Sequence, residues 1–133
     1  MNIGERTLND ITVLDLDGSL AREENAEFKK HINATINAGA RKLILNLARV
    51  PYMDSSGVGE LISCYIALQA VSGRVKLLSP NHRLQNLLVI TKLITVFETF
   101  DSEPNAIASF ANTGMAEVQP PGSPENYNGN ETL

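Results

Sequence analysis

The chain contains no tryptophan, one cysteine and two histidines among its 133 residues. Its aromatics are three tyrosines and four phenylalanines, and no Lys/Arg cluster stands out. Eleven basic against fifteen acidic residues give a net charge of −4. Direct contact with nucleic acid therefore has neither a basic footprint nor an aromatic stacking platform, and none is expected. With Cys64 alone, neither a disulfide framework nor a cysteine-based zinc site can be built. Cys64 lies in the apolar run Leu61–Ile66 and reads as a small core residue rather than a nucleophile. His31 and His82 lie far apart on polar stretches, read as surface residues and suggest no metal. No apolar run approaches the length of a membrane span, and Met-Asn-Ile-Gly-Glu-Arg is no signal peptide. The expectation is a cytoplasmic protein without cofactor or membrane partner.

What remains is an ordinary globular composition, 43% hydrophobic and 20% charged, long enough for one domain with a real core. Ile11–Leu16 reads as a strand, and Asp17-Gly18-Ser19 as a turn. Residues 23–38 have helical spacing, with Phe28, Ile32, Ile36 and Thr35 on one face and Glu23, Glu24, Glu27, Lys29 and Lys30 on the other. Gly39 stops this helix. Residues 42–47 are apolar on both faces, as in a central parallel strand. A second helix spans Ser55–Val71 and ends at Ser72-Gly73. Val75–Leu78 is a third strand. Ser79-Pro80-Asn81 leads into a helix burying Leu84, Leu87, Leu88 and Ile90. Val96–Phe100 reads as a last strand. Pro104 opens a final helix packed through Ile107, Ala108 and Phe110 or Ala111. Strand–helix alternation predicts a single α/β domain with a mostly parallel mixed sheet of four to five strands and about four helices. The folded domain is expected over residues 1–112. Residues 113–133, rich in Pro, Gly and Asn, are expected to form a flexible C-terminal tail.

The segment with the most to say is Val50-Pro-Tyr-Met-Asp54-Ser55-Ser56-Gly57-Val58-Gly59. It stands between an apolar strand and a helix, at the carboxyl end of a strand where α/β sheets place their functional loops. A helix start carries unpaired N–H groups and partial positive charge. A serine there has two readings. It can serve as a plain N-cap, or it can carry a phosphate that the same N–H groups stabilise. Two glycines in a first turn cost roughly 1 kcal/mol each relative to alanine, so their presence suggests the close approach of another group.

Leu43-Ile44-Leu45-Asn46-Leu47 followed by Tyr52–Gly59 resembles the signature of STAS domains, more narrowly the anti-sigma factor antagonists. Asp17-Gly18-Ser19-Leu20, Gly73–Leu77 and Leu87…Thr91–Phe97 match in order, so the resemblance covers roughly residues 5–111. It implies a STAS-type fold and a partner-switching mechanism. The unphosphorylated antagonist binds a serine kinase that is also an anti-sigma factor, releasing the sigma factor and so regulating transcription. The kinase phosphorylates the serine after the motif aspartate, which ends binding, and a serine phosphatase resets the switch. By motif position the acceptor is Ser55. The implied partner-binding residues are Asp54, Ser55, Ser56, Gly57, Val58 and Gly59, with Gly57 expected near the surface. The chain departs from the family after Gly18-Ser19-Leu20, where members often carry an acidic residue and this chain has Ala21.

Two other readings compete. The same domain can act as a regulatory or scaffold module in a signalling complex without a sigma factor. A serine-based enzyme lacks support, because the turn has no Gly-x-Ser-x-Gly elbow and no histidine sits in a strand-end loop. Nucleotide binding lacks the Gly-x-x-x-x-Gly-Lys-Ser/Thr pattern. The expectation is a non-enzyme, working as a monomer or weak homodimer.

Overall fold

The computed structural model describes the backbone of residues 1–116 and the side chains of residues 1–111. Five strands form one sheet in the order β1-β2-β3-β4-β5: Asn2–Leu8, Ile11–Asp17, Lys42–Arg49, Arg74–Leu78 and Thr99–Phe100. β1 and β2 make an antiparallel hairpin around Asn9-Asp10, with Asn9 at φ 58°. All later pairings are parallel. Helices α1 (Glu24–Asn37), α2 (Ser55–Gln69) and α3 (His82–Ile90) connect β2 to β5, and α4 (Glu103–Ala116) follows. Each crossover steps to the next strand in the same direction. Right-handedness therefore puts α1, α2 and α3 on one face of the sheet. Leu14, Leu16, Leu43, Leu45, Leu47 and Leu77 meet Phe28, Leu61, Leu68 and Leu84 there, all nearly inaccessible to solvent. On the opposite face α4 covers Ile11, Val13, Ile44 and Leu78 with Ala106 and Phe110. The α/β class, strand count and helix count are as the sequence indicates.

Several local expectations are corrected. β1 is absent from the sequence reading. It is an edge strand, mostly exposed, with only Ile3 and Leu8 partly buried, so it carries no strong apolar alternation. Val96–Phe100 contributes only Thr99–Phe100 to the sheet. A 3-10 turn at Leu93–Thr95 delivers Phe97 into the core, edge-on to Tyr65 with ring centroids 5.6 Å apart. Ile90 is 77% exposed, because the buried positions of α3 are Leu84 and Leu88, and a residue two further on points away. For the same reason Ala108 is exposed between buried Ala106 and Phe110. His31 is half-buried, with Nε2 3.2 Å from Glu5 Oε1, whereas His82 is exposed. Cys64 is buried, and burial pushes its thiol up to about 12. No helix among the described residues is long and apolar enough to cross a membrane. The expected tail lies largely outside the described residues, and α4 continues through Asn112 to Ala116.

Polar contacts fasten α4 and β1 to the sheet. Lys76, nearly inaccessible in β4, donates to Ser109 at 2.8 Å, pairs with Glu98 at 2.7 Å and sits 4.5 Å from the Phe110 ring centroid. Arg6 of β1 grips two carboxylates. It reaches Asp15 at 2.7 and 2.9 Å and Glu103 at 2.9 and 2.7 Å. The guanidinium holds both carboxyls below the usual carboxylate range, chiefly through these hydrogen bonds. The Asp15 and Glu103 side chains are 37% and 30% exposed, so solvent screening limits the effect to roughly 1 kcal/mol. Because the folded-state values are depressed, this stabilisation is present above the unfolded-state values and is lost as pH falls through and below them. Arg6→Ala should therefore lower stability by roughly 1 kcal/mol near neutral pH. Urea unfolding of both proteins should show the gap closing as pH falls below about 4. A gap independent of pH would contradict this account.

Candidate functional site

The site forms where the carboxyl ends of β2, β3 and β4 are stitched together. The Gly18 N–H donates to the Arg49 carbonyl at 3.1 Å, and the Leu20 N–H to the Tyr52 carbonyl at 3.0 Å. Leu20 and Met53 pair as an isolated parallel bridge, so the loop after β2 lies directly on the loop after β3. From the β4 side, Asn81 donates its side-chain amide to the Val50 carbonyl at 3.3 Å and caps α3 by accepting from the Leu84 N–H at 2.8 Å.

These loops fix the start of α2. Asp54 occupies the N-cap in extended backbone geometry, and its Oδ1 accepts from the Gly57 N–H at 2.9 Å. The same oxygen accepts from the Ser56 hydroxyl. These two hydrogen bonds, the Ser56 one first, hold the Asp54 carboxyl below its ordinary range, with the positive charge of Arg22 adding to the effect. The Ser56 oxygen in turn accepts from the side-chain amide of Asn25 in the second residue of α1. The two serines therefore differ. The Ser56 hydroxyl is bracketed by Asp54 and Asn25. Ser55 is exposed at the first helical position, and its hydroxyl has no hydrogen-bond partner among the described residues.

Of the residues singled out in the sequence, Asp54 is half-buried, and Ser55, Ser56 and Gly59 are exposed. Gly57 and Val58 face inward. The expectation that Gly57 lies near the surface is overturned. A Cβ at Gly57 would overlap the Leu20 carbonyl oxygen and stand 2.7 Å from Met53 Cγ. The group that approaches closely there is the chain's own backbone, and glycine is needed for helix α2 to start against it. At Gly59 an added Cβ would meet nothing within 4 Å. Asn25 and Arg22 were not anticipated. Both reach the site from the segment after β2, and no local pattern marks a contact made across 31 residues.

The fold and sequence have counterparts among known proteins. The model of the STAS domain family matches residues 3–106. The chain belongs to the STAS domain family and, within it, to the anti-sigma factor antagonists. It is 31% identical over 90 residues to an anti-sigma F factor antagonist of Lysinibacillus sphaericus, covering 67% of this chain and 77% of that protein. It is 28% identical over 103 residues to the TM1081 homologue of Thermotoga neapolitana, covering 77% and 91%. Among solved structures it is similar to the Bacillus cell fate determinant SpoIIAA in its phosphorylated form, at 27% identity and TM-score 0.66, covering 82% of this chain and 99% of that one.

The two glycines should respond in opposite directions. Gly57→Ala forces Leu20 and Met53 apart and should cost roughly 1–3 kcal/mol, as overpacking does. Gly59→Ala should stabilise by up to about 1 kcal/mol, since it places a side chain in open space and removes helix-interior glycine. Chemical denaturation of both variants checks this. Equal effects, or destabilisation at Gly59, would refute the packing described.

Proposed function

We propose that the protein binds an anti-sigma factor serine kinase while unphosphorylated and is released when that kinase phosphorylates Ser55, with a serine phosphatase restoring the binding form. The observation that carries this reading is the contrast between the serines. Ser55 presents an exposed hydroxyl at a helix N-terminus, unpartnered among the described residues, while the Ser56 hydroxyl is held on both sides. That SpoIIAA, 27% identical, is known in a phosphorylated form supports it.

The switch is electrostatic. A phosphate on Ser55 adds about −1.5 to −2 charges. The dipole of the fifteen-residue α2 lets the domain tolerate it. Next to the ionised Asp54 it makes a concentrated negative patch, which opposes a partner surface that fits the neutral serine. The domain supplies no catalytic group to this exchange, and the kinase brings both ATP and its own machinery. Ser55, Gly59, Ile62 and Ile66 are all exposed at helical spacing, so they share one side of α2. On this reading the kinase contacts that side, near Asp54, Ser55, Ser56 and Gly59. Gly57 and Val58 act from inside by shaping the turn.

The test is a pull-down from native lysate with three baits. The wild type and Ser55→Ala should recover an anti-sigma factor serine kinase, and Ser55→Asp should lose at least 90% of it, about 1.4 kcal/mol or more in binding. Phosphate mapped to Ser55 by mass spectrometry after incubation with ATP completes the case. Recovery of a complex without any such kinase would select a scaffold role instead.

The folded unit in this reading is the domain of residues 1–112, extended by the rest of α4, with the remainder as a dispensable tail. Truncation after Ala116 should leave the melting temperature within about 3 °C, less than a ΔΔG of 1 kcal/mol would move a domain of this size. A larger drop would contradict it.

A further inference from the structure

Asn25 poses a question that the switch alone does not answer. It sits in the first turn of α1, only 8% exposed, and its amide donates to Ser56. Its own carbonyl oxygen is buried and has no hydrogen-bond partner among the described residues. A buried acceptor left unsatisfied is destabilising, and an apolar residue of similar shape would avoid that cost. Turning the carboxamide over does not remove the problem. The oxygen would then face the Ser56 hydroxyl and compete with Asp54 for its proton, and the amide would become the orphan. In the arrangement seen, Asp54 keeps both its donors and Ser56 keeps both its partners.

We infer that Asn25 determines which serine is phosphorylated, by locking Ser56 out of the reaction; this rests on the reading of Ser55 as the acceptor. Phosphoryl transfer forms an O–P bond from a serine oxygen to the γ-phosphorus of ATP, breaks the bond to the ADP leaving oxygen and passes the hydroxyl proton to the kinase's base. A reacting hydroxyl must therefore aim a lone pair at phosphorus and its proton at that base. Ser55 can do both at once. Ser56 donates its proton to the Asp54 carboxylate, and one of its two lone pairs accepts from the Asn25 amide. A second lone pair remains, but swinging the oxygen outward to meet phosphorus takes it off Asn25 and leaves the buried amide unpaired like the carbonyl oxygen beside it, which disfavours the step on the order of ten- to a hundredfold. Two adjacent hydroxyls on one helix start are thus made unequal by a side chain from another helix.

The test uses the full chain and the anti-sigma factor serine kinase recovered by the wild-type bait, with the rate and position of phosphate read by mass spectrometry. Wild type should carry phosphate on Ser55 alone, and Ser55→Ala should take up almost none. Adding Asn25→Ala to Ser55→Ala should raise phosphorylation of Ser56 at least tenfold. Asn25→Leu, which fills the same space without polar atoms, should do the same. With Ser55 intact, either Asn25 variant should give a mixture of phosphorylation at Ser55 and Ser56. If Ser55 is phosphorylated in wild type but Ser56 stays silent in both folded double variants, Asn25 does not set the choice, and the inference fails while the switch stands. If wild type takes no phosphate on Ser55, the switch fails and the inference with it. Loss of folding in both Asn25 variants would make the residue structural and overturn the inference.

Discussion

The structure depends on one close contact, the seating of the first turn of α2 against the backbone of Leu20. There is no room at Gly57 for even a methyl group. That constraint joins the loop after β2 to the loop after β3, and it fixes the point at which the helix begins. Asp54 then caps the helix from the residue before it, Ser56 turns toward Asn25, and Ser55 is left facing outward. The neighbouring main-chain bond from Leu20 to Tyr52 and the Asn81 bond to Val50 hold the loops on either side of this contact. The position of one exposed hydroxyl thus follows from packing several layers beneath it.

The electrostatics follow from the same geometry. Asp54 stays ionised because Ser56 and the Gly57 N–H donate to it and Arg22 lies near. A helix N-terminus already engaged with one carboxylate retains its dipole and the exposed side of its first turn. A second negative group at Ser55 is therefore tolerated by the fold but concentrated at its surface. Ala21, where the family resemblance leads one to expect an acidic residue, is buried, and Arg22 follows it in a left-handed conformation at φ 54°. The charge around the serine turn is accordingly less negative than an acidic residue at position 21 would make it.

Most of the layout was legible in the sequence because burial writes a simple code. β2 and β3 are apolar on both faces, and α1 shows Phe28 and Ile32 at helical spacing. β1 was not legible because an edge strand needs few apolar residues, and its pairing with β2 is carried by backbone hydrogen bonds. The stretch 96–100 misled because Phe97 is buried not by the sheet but by a tight turn that brings it and Leu93, four residues apart, onto one side, a pattern that a strand reading does not contain. At the site, the Asp-Ser-Ser-Gly turn identified the helix start and the need for a close approach at Gly57, but wrongly extended that need to Gly59. It did not identify what approaches. Leu20, Asn25 and Arg22 come from the segment after β2, and only the parallel pairing of β2 with β3 brings them there.

The central claim is that the fold is a rigid platform on which Ser55 can gain a phosphate without the domain rearranging. The most direct measurement compares amide proton–nitrogen NMR spectra of the unphosphorylated chain and the chain phosphorylated on Ser55. The account predicts shifts confined to residues 18–25 and 52–60, the two loops and helix starts joined at Gly57, with β1, β4 and α4 unchanged. Changes spread across the sheet, or broadening of the core resonances of β2 and β3, would show that the phosphate acts by remodelling the domain and would contradict it.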